Sequence, residues 1–349
     1  MRKSQKHRRT KKNVTRSFQP LNCSPIVNGK TEVAGSCLTA PALYQLKEYY
    51  NKHHPSTPIL SNNPSQLWHD FRTRFFSCKR EDCWLKEIDN VELRENLEKF
   101  LFAPSQPVEW KKKPNEWLSN FDIFEVLHQY ELTHATFKAF GPTPIDFDSR
   151  PKDESGKCVW EELCTFQLNN YLEKGKTKLG MVFNLDKHDE QGSHWVSLFV
   201  DLEERFLFYL DSAGNRIPKE IRTLVKRIQA QGMSLSPPLK FKPTKNLIRT
   251  ANSHSSWSMT DKEINSSPIA KQGADLNLRR FKFYENYPLE HQLGNTECGM
   301  YSLYFIITML TGETEGRTFR TALEKIQFFK KKRVPDKYVS KYRKIYFNV

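Results

Sequence analysis

The run from Cys298 to Leu310 limits most strongly what this chain can fold into. Met300, Tyr301, Leu303, Tyr304, Phe305, Ile306, Ile307, Met309 and Leu310 leave only small polar breaks, and Gly312 stands where a helix is commonly stopped. This is a helix for the interior. It opens on a cysteine, and a cysteine in the first turn feels the positive end of the helix dipole, which favours thiolate over thiol. A buried cysteine is more often an inert small hydrophobe. Cys298 therefore takes its meaning from what the rest of the chain brings to it.

About a hundred residues earlier, Trp195 to Asp201 and Arg205 to Leu210 form two strand-like runs, rich in aromatic and β-branched residues, around the acidic pair Glu203-Glu204. A hairpin centred on that pair sets positions summing to about 407 opposite each other. His194 then faces roughly position 213, with Asp211 in side-chain reach. Asp201 lies seven residues along the first strand, about 23 Å away at ~3.3 Å per residue, and points from the other face. Asp211 is the better partner. A histidine at a strand start, a carboxylate at the end of the neighbouring strand and a cysteine on a helix make the nucleophile–base–orienter set of a thiol protease. His188 and His291 are rival bases, but neither opens a hydrophobic strand with an acid returning beside it.

Charge is placed unevenly. Of the net +15, nine Lys and Arg fall in residues 1–31, which hold no acid, leaving +6 for the rest. Residues 1–36 read as a disordered basic tail and linker, suited to nuclear import or to salt-sensitive, non-specific nucleic-acid contacts. No run of eighteen apolar residues exists, so no membrane contact is expected, and a soluble protein of a reducing compartment is. The seven cysteines contain no Cys-x-x-Cys pair, so neither a disulfide framework nor a zinc site is expected.

Helical stripes over 40–53, from 65 to 76 and over about 82–102 make a helical arm spanning 37–104. The remainder, 105–349, reads as the catalytic domain. There, helices are expected over 117–132, 160–171, 217–232, 318–329 and 335–346, and strands at 178–185, near 239–242 and at 279–284. A mobile insertion is expected at about 243–275.

These motifs carry a resemblance. His194-Trp195, Asp211 seventeen residues on, and Gln292 six residues before Cys298-Gly299 resemble the motif set of the SUMO-protease and adenovirus-protease clan of cysteine peptidases. Within it, Thr296 to Ser302, Phe199 to Asp201 and Ser212 to Asn215 look closest to the polyprotein-processing protease of African swine fever virus and its relatives in other large DNA viruses. Trp117 to Ile123, the pair Cys78 and Cys83, and the ending from Arg333 to Phe347 are similar as well. The likeness covers most of residues 70–349.

The resemblance implies an α+β fold, with a mainly antiparallel central sheet flanked by helices and the nucleophile at a helix N-terminus. Cys298 is then the nucleophile, His194 its proton partner and Asp211 the orienting acid. Gln292 is the oxyanion donor, because a side-chain amide donates to an oxyanion without adding an ionisable group. Trp195 and Trp117 would wall a tunnel admitting only a Gly-Gly backbone, since two indoles leave no room for a Cβ. The implied activity is cleavage after Gly-Gly in viral structural polyproteins during virion maturation, without cofactor or metal, in the virion and the host cytoplasm. Two alternatives stand beside it: an isopeptidase removing a ubiquitin-like modifier, and an inactive structural protein bound to nucleic acid. SUMO-specific members usually carry Asp-Cys-Gly where this chain has Glu297-Cys298-Gly299, whereas the viral protease has asparagine as its third member, two residues later than Asp211.

Overall fold

The computed structural model describes residues 18–151, 156–235 and 281–348. The expected strand near 239–242, the expected insertion at 243–275 and the tail over 1–17 lie outside the described residues. The chain divides into two compact units. Of the described residues, those within 1–114, 128–133 and 341–349 form one, and those within 115–127 and 134–340 form the other.

In the first unit, α1 (Ala40–His53), α2 (Pro64–Arg74) and α3 (Val91–Leu101) carry the expected stripes. Leu43, Leu46, Leu67 and Phe71 are fully enclosed, and they close around the buried indole of Trp84. The single helix expected over 82–102 is divided into a 3-10 helix, Glu81–Glu87, and α3. Asn90 causes the division, because its Oδ1 accepts the Leu93 N–H at 2.9 Å and caps a new helix start. Glu81 is a buried carboxyl that accepts the Cys37 N–H at 2.8 Å and the Trp68 indole N–H, and burial pushes its pKa up.

Residues 20–36, expected as a linker, are built into this unit. Ser24 caps a 3-10 turn at Pro25–Val27, Ile26 and Val27 are buried, and Cys23 is bonded to Cys37. The expectation of unpaired cysteines is also corrected. Cys23–Cys37, Cys78–Cys83 and Cys158–Cys164 are disulfides, with Cα separations of 5.0, 5.8 and 6.3 Å, and Cys298 is free and buried. Each pair is brought together by local turns over 14, 5 and 6 residues, spacings that match no recurrent motif. The last residues also belong to this unit. Asn348 Oδ1 accepts the Asn22 N–H at 2.7 Å, and its amide donates to the Ala103 carbonyl at 2.9 Å.

The helix expected from Trp117 begins three residues later, as α4 (Asn120–Thr133). Ser119 and Asp122 form the cap: the Ser119 N–H and O–H donate to Asp122 Oδ2 at 2.7 and 2.6 Å, and the Asp122 N–H returns to Ser119 Oγ. Trp117 and Leu118 are thereby left in the lead-in, outside the helix.

The second unit is organised on a sheet of β1 (Phe137–Pro144), β2 (Lys178–Asn184), β3 (Trp195–Asp201), β4 (Phe206–Leu210) and β5 (Lys282–Glu285), in that spatial order. β2–β3 and β3–β4 are antiparallel, while β1–β2 and β4–β5 are parallel. The architecture is α+β with a mixed sheet. Every residue of β3 and β4 is buried, as a sheet covered on both faces requires. On one face Leu179, Met181, Leu198 and Tyr209 join Ile221, Leu224 and Ile228 of α7 (Lys219–Met233) in one cluster, together with the short helices α5 (Glu161–Cys164) and α6 (Leu168–Leu172) that replace the expected helix over 160–171. The other face meets α8 (Cys298–Thr311), stopped by Gly312 at φ 73° as expected, and α9 (Ala322–Lys331). Phe208 stacks edge-on against Phe305 at 5.1 Å and lies 6.3 Å from Phe329. In place of the one helix expected over 335–346 stand two short ones, α10 (Asp336–Ser340) in this unit and α11 (Arg343–Tyr346) in the first.

Gly180 permits the close approach of α8 to β2. A Cβ there would lie 2.8 Å from Ile306 Cγ2 and from the Phe137 ring. Gly180→Ala is expected to lower stability by about 1–3 kcal/mol, the usual cost of overpacking. The check is the midpoint of denaturant unfolding; an unmoved midpoint would mean that helix and strand separate freely.

Candidate active site

The register of β3 on β4 decides the site. Ser197 pairs with Leu210 and Asp201 with Phe206, so each opposed pair sums to 407 as the hairpin reading requires. His194 immediately precedes β3 and Asp211 immediately follows β4. The His194 Nε2 lies 2.7 Å from Asp211 Oδ1. Asp201, the rejected alternative, serves the turn, where its Oδ1 accepts the N–H groups of Glu203 and Glu204 at 3.1 and 3.0 Å.

Asp211 is held from several sides. Its N–H donates to Asn286 Oδ1 at 2.9 Å, and the Asn286 amide donates to the Asp211 carbonyl and to the Leu289 carbonyl, both at 2.7 Å. Oδ1 also accepts the Ala213 N–H at 2.8 Å, whereas Oδ2 is buried without a hydrogen-bond partner. Compensation of this buried charge falls chiefly on the imidazole. Burial alone would lower the His194 pKa, but the hydrogen bond to Asp211, a second hydrogen bond to Cys298 and the charges of both raise it to about 10. The ring is thus an imidazolium at neutral pH, and Cys298, at the first turn of α8, is among the groups that hold its proton.

Gln292 is buried and fixed in rotation. Its N–H donates to the Ser212 carbonyl at 2.9 Å, its Oε1 accepts the Ser212 O–H at 2.8 Å, and its Nε2 donates to the Gly294 carbonyl at 2.8 Å. Trp195 is buried at the start of β3, and its indole N–H donates to the Leu118 carbonyl at 3.0 Å. A Cβ on Gly299, next to the nucleophile position, would come within 3.1 Å of Leu118 Cβ and 3.3 Å of the Trp195 ring. Trp117 is half-buried and lines one open cleft together with Trp195, Trp160, Pro142 and Pro144.

The rival histidines are otherwise engaged. His188 pairs with Asp146 at 2.7 Å on the surface. His291 is fully buried: its Nε2 donates to the Phe329 carbonyl, its Nδ1 accepts the Val334 N–H, and burial lowers its pKa to about 4, so it is neutral. Sequence reasoning missed Asn286, Ser212 as a hydrogen-bond donor, and Trp160 as a cleft residue. Asn286 carried no signal beyond its place directly after a strand.

Residues 176–341 match the model of the Ulp1 protease family, C-terminal catalytic domain. The chain is 25% identical over 301 residues to a thiol protease of Acanthamoeba polyphaga mimivirus, covering 80% of this chain and 81% of that one. It is 23% identical over 196 residues to the cysteine protease of African swine fever virus, covering 54% and 56%. The crystal structure of the African swine fever virus protease superposes with a TM-score of 0.54 at 17% identity, over 95% of this chain and 97% of that one, which identifies a shared fold. Together these likenesses support a SUMO-protease-like cysteine protease, with relatives in large DNA viruses.

Asp211→Asn removes the charge that holds the proton on His194 and is expected to bring its titration midpoint well below the wild-type value of about 10. Histidine-ring NMR would read both midpoints, and equal values would break the assignment. The linkage has a definite sign. A ring whose pKa rises on folding from 6.5 to about 10 stabilises the fold fully below pH 6.5 and loses that contribution as pH climbs through 10. The stability difference between wild type and Asp211→Asn should therefore shrink across that window.

Proposed function

We propose that the protein is an endopeptidase that cleaves after Gly-Gly in the structural polyproteins of a large DNA virus during virion maturation, in the virion and the host cytoplasm. The observation that carries this reading is the place of His194, between a buried carboxylate and a free cysteine at a helix start. Cys298 Sγ attacks the scissile carbonyl carbon. Gln292 Nε2 and the Cys298 backbone N–H donate to the oxyanion. The His194 imidazolium gives its proton to the departing amine, leaving a thioester. The neutral imidazole then takes a proton from water as that water attacks the thioester, which releases the acid and leaves the thiolate beside a restored imidazolium.

The Gly-Gly preference is supported by the tryptophans. Trp195 is fixed by its hydrogen bond to Leu118, and Trp117 lines the same cleft. A slot between indole walls admits a backbone without Cβ atoms. The nine Lys and Arg of residues 1–31 suit non-specific nucleic-acid contacts whose strength falls with salt.

Two substrates test the reading: an unstructured peptide with an internal Gly-Gly-Xaa, and a folded ubiquitin-like protein with a dye on its C-terminal Gly-Gly. Peptide cleavage that Cys298→Ser abolishes, with the folded protein untouched, is the expected result. Turnover of the folded protein alone would reassign the enzyme as a deconjugase, and inactivity on both, with DNA added, would favour a structural role. Gln292→Ala is expected to lower kcat by about 10²–10³, the usual loss for one oxyanion donor. Steady-state kinetics on the peptide would measure it.

A further inference from the structure

The loop from Gln292 to Cys298 should be loose, since Leu293, Gly294 and Asn295 are exposed. It is held instead by one carboxylate from the far end of the unit. Asp336 Oδ2 accepts the N–H groups of Leu293 and Gly294, each at 3.0 Å. Asp336 Oδ1 accepts the O–H of Tyr301, on the first turn of α8, at 2.8 Å. The residue whose N–H is gripped, Gly294, is also the one whose carbonyl accepts the Gln292 amide at 2.8 Å. Loop and nucleophile helix thus meet on the two oxygens of a single side chain. The two side-chain oxygens face three donors, and the Tyr301 hydroxyl also lies 2.8 Å from the Val334 carbonyl and 3.2 Å from the His291 carbonyl.

We propose that Asp336 is a positioning residue for catalysis: it fixes the Gln292 amide relative to Cys298, so that the donor stands where the oxyanion forms. The inference rests on the reading of Gln292 as that donor. Asp336 acts through Gly294 and Tyr301 and touches no substrate. An asparagine there keeps one acceptor oxygen and puts an NH2 in place of the other, so the donor on that side loses its acceptor.

The test uses the full chain carrying Asp336→Asn, Gln292→Ala or both, with the Gly-Gly peptide as substrate. In parallel, Cys298 is alkylated by iodoacetamide, a reaction that forms no oxyanion. Asp336→Asn should lower kcat by about tenfold or more while KM and the alkylation rate stay within about twofold, as expected when only transition-state contacts are lost. The double variant should be no slower than Gln292→Ala by more than about twofold, because the two residues act as one unit. Alkylation slowing in step with kcat would mean general distortion and overturn the proposal, as would an unchanged kcat or losses that multiply. If Gln292→Ala is slow while Asp336→Asn is not, this inference alone fails; if Gln292→Ala is harmless, the oxyanion reading fails and takes the inference with it.

Discussion

Everything in the catalytic unit depends on a hairpin register. Pairing Ser197 with Leu210 puts His194 and Asp211 at the same end of adjacent strands and lets their side chains meet at 2.7 Å. Because side chains alternate along a strand, a slip of one residue would turn His194 and Asp211 to opposite faces. The register is secured well away from the site. Asp201 gathers the turn by accepting from Glu203 and Glu204, and β3 and β4 are buried along their whole length. A slipped strand would carry Leu198, Val200, Leu207 and Tyr209 out of the cluster they share with α7. The cost of misplacing the chemistry is therefore paid by the core.

The second constraint is the helix that carries the nucleophile. A segment as apolar as Cys298–Thr311 has one stable place, against the sheet and under α9, and its packing through Phe305 and Ile306 locates its first residue. Gly180 and Gly299 allow the approach at two levels, one in the body of the helix and one beside the cysteine. Burial thus sets the position of a group whose reactivity comes from charge. His194 supplies that charge, and it stays protonated because the Asp211 carboxylate has little other compensation.

These two constraints are also the parts that could be read from the chain. The alternation around Glu203-Glu204 predicts a register that the structure reproduces pair for pair. The apolar run and Gly312 predict a buried helix and its end. Helix starts are read less well: Ser119 and Asn90 are capping residues whose effect depends on which backbone N–H they reach, so α4 and α3 begin later than periodicity suggests. Polar supports are hidden altogether. Asn286 reaches Asp211 across 75 residues, Ser212 reaches Gln292 across 80 and Asp336 reaches Gly294 across 42. Such contacts follow from the completed fold, and no local pattern announces them. The disulfides escape for the opposite reason, because short turns of unremarkable composition bring their cysteines together.

Asn286 grips the orienting residue only by its main chain, taking the Asp211 N–H and giving to the Asp211 carbonyl. The path of the chain at the strand end is therefore held from outside the orienting residue, while the carboxylate adds its own tie to the Ala213 N–H. The peptide that aims the side chain is anchored by a neighbour seventy-five residues away, so the direction in which the acid points is a property of the sheet edge as much as of the acid itself.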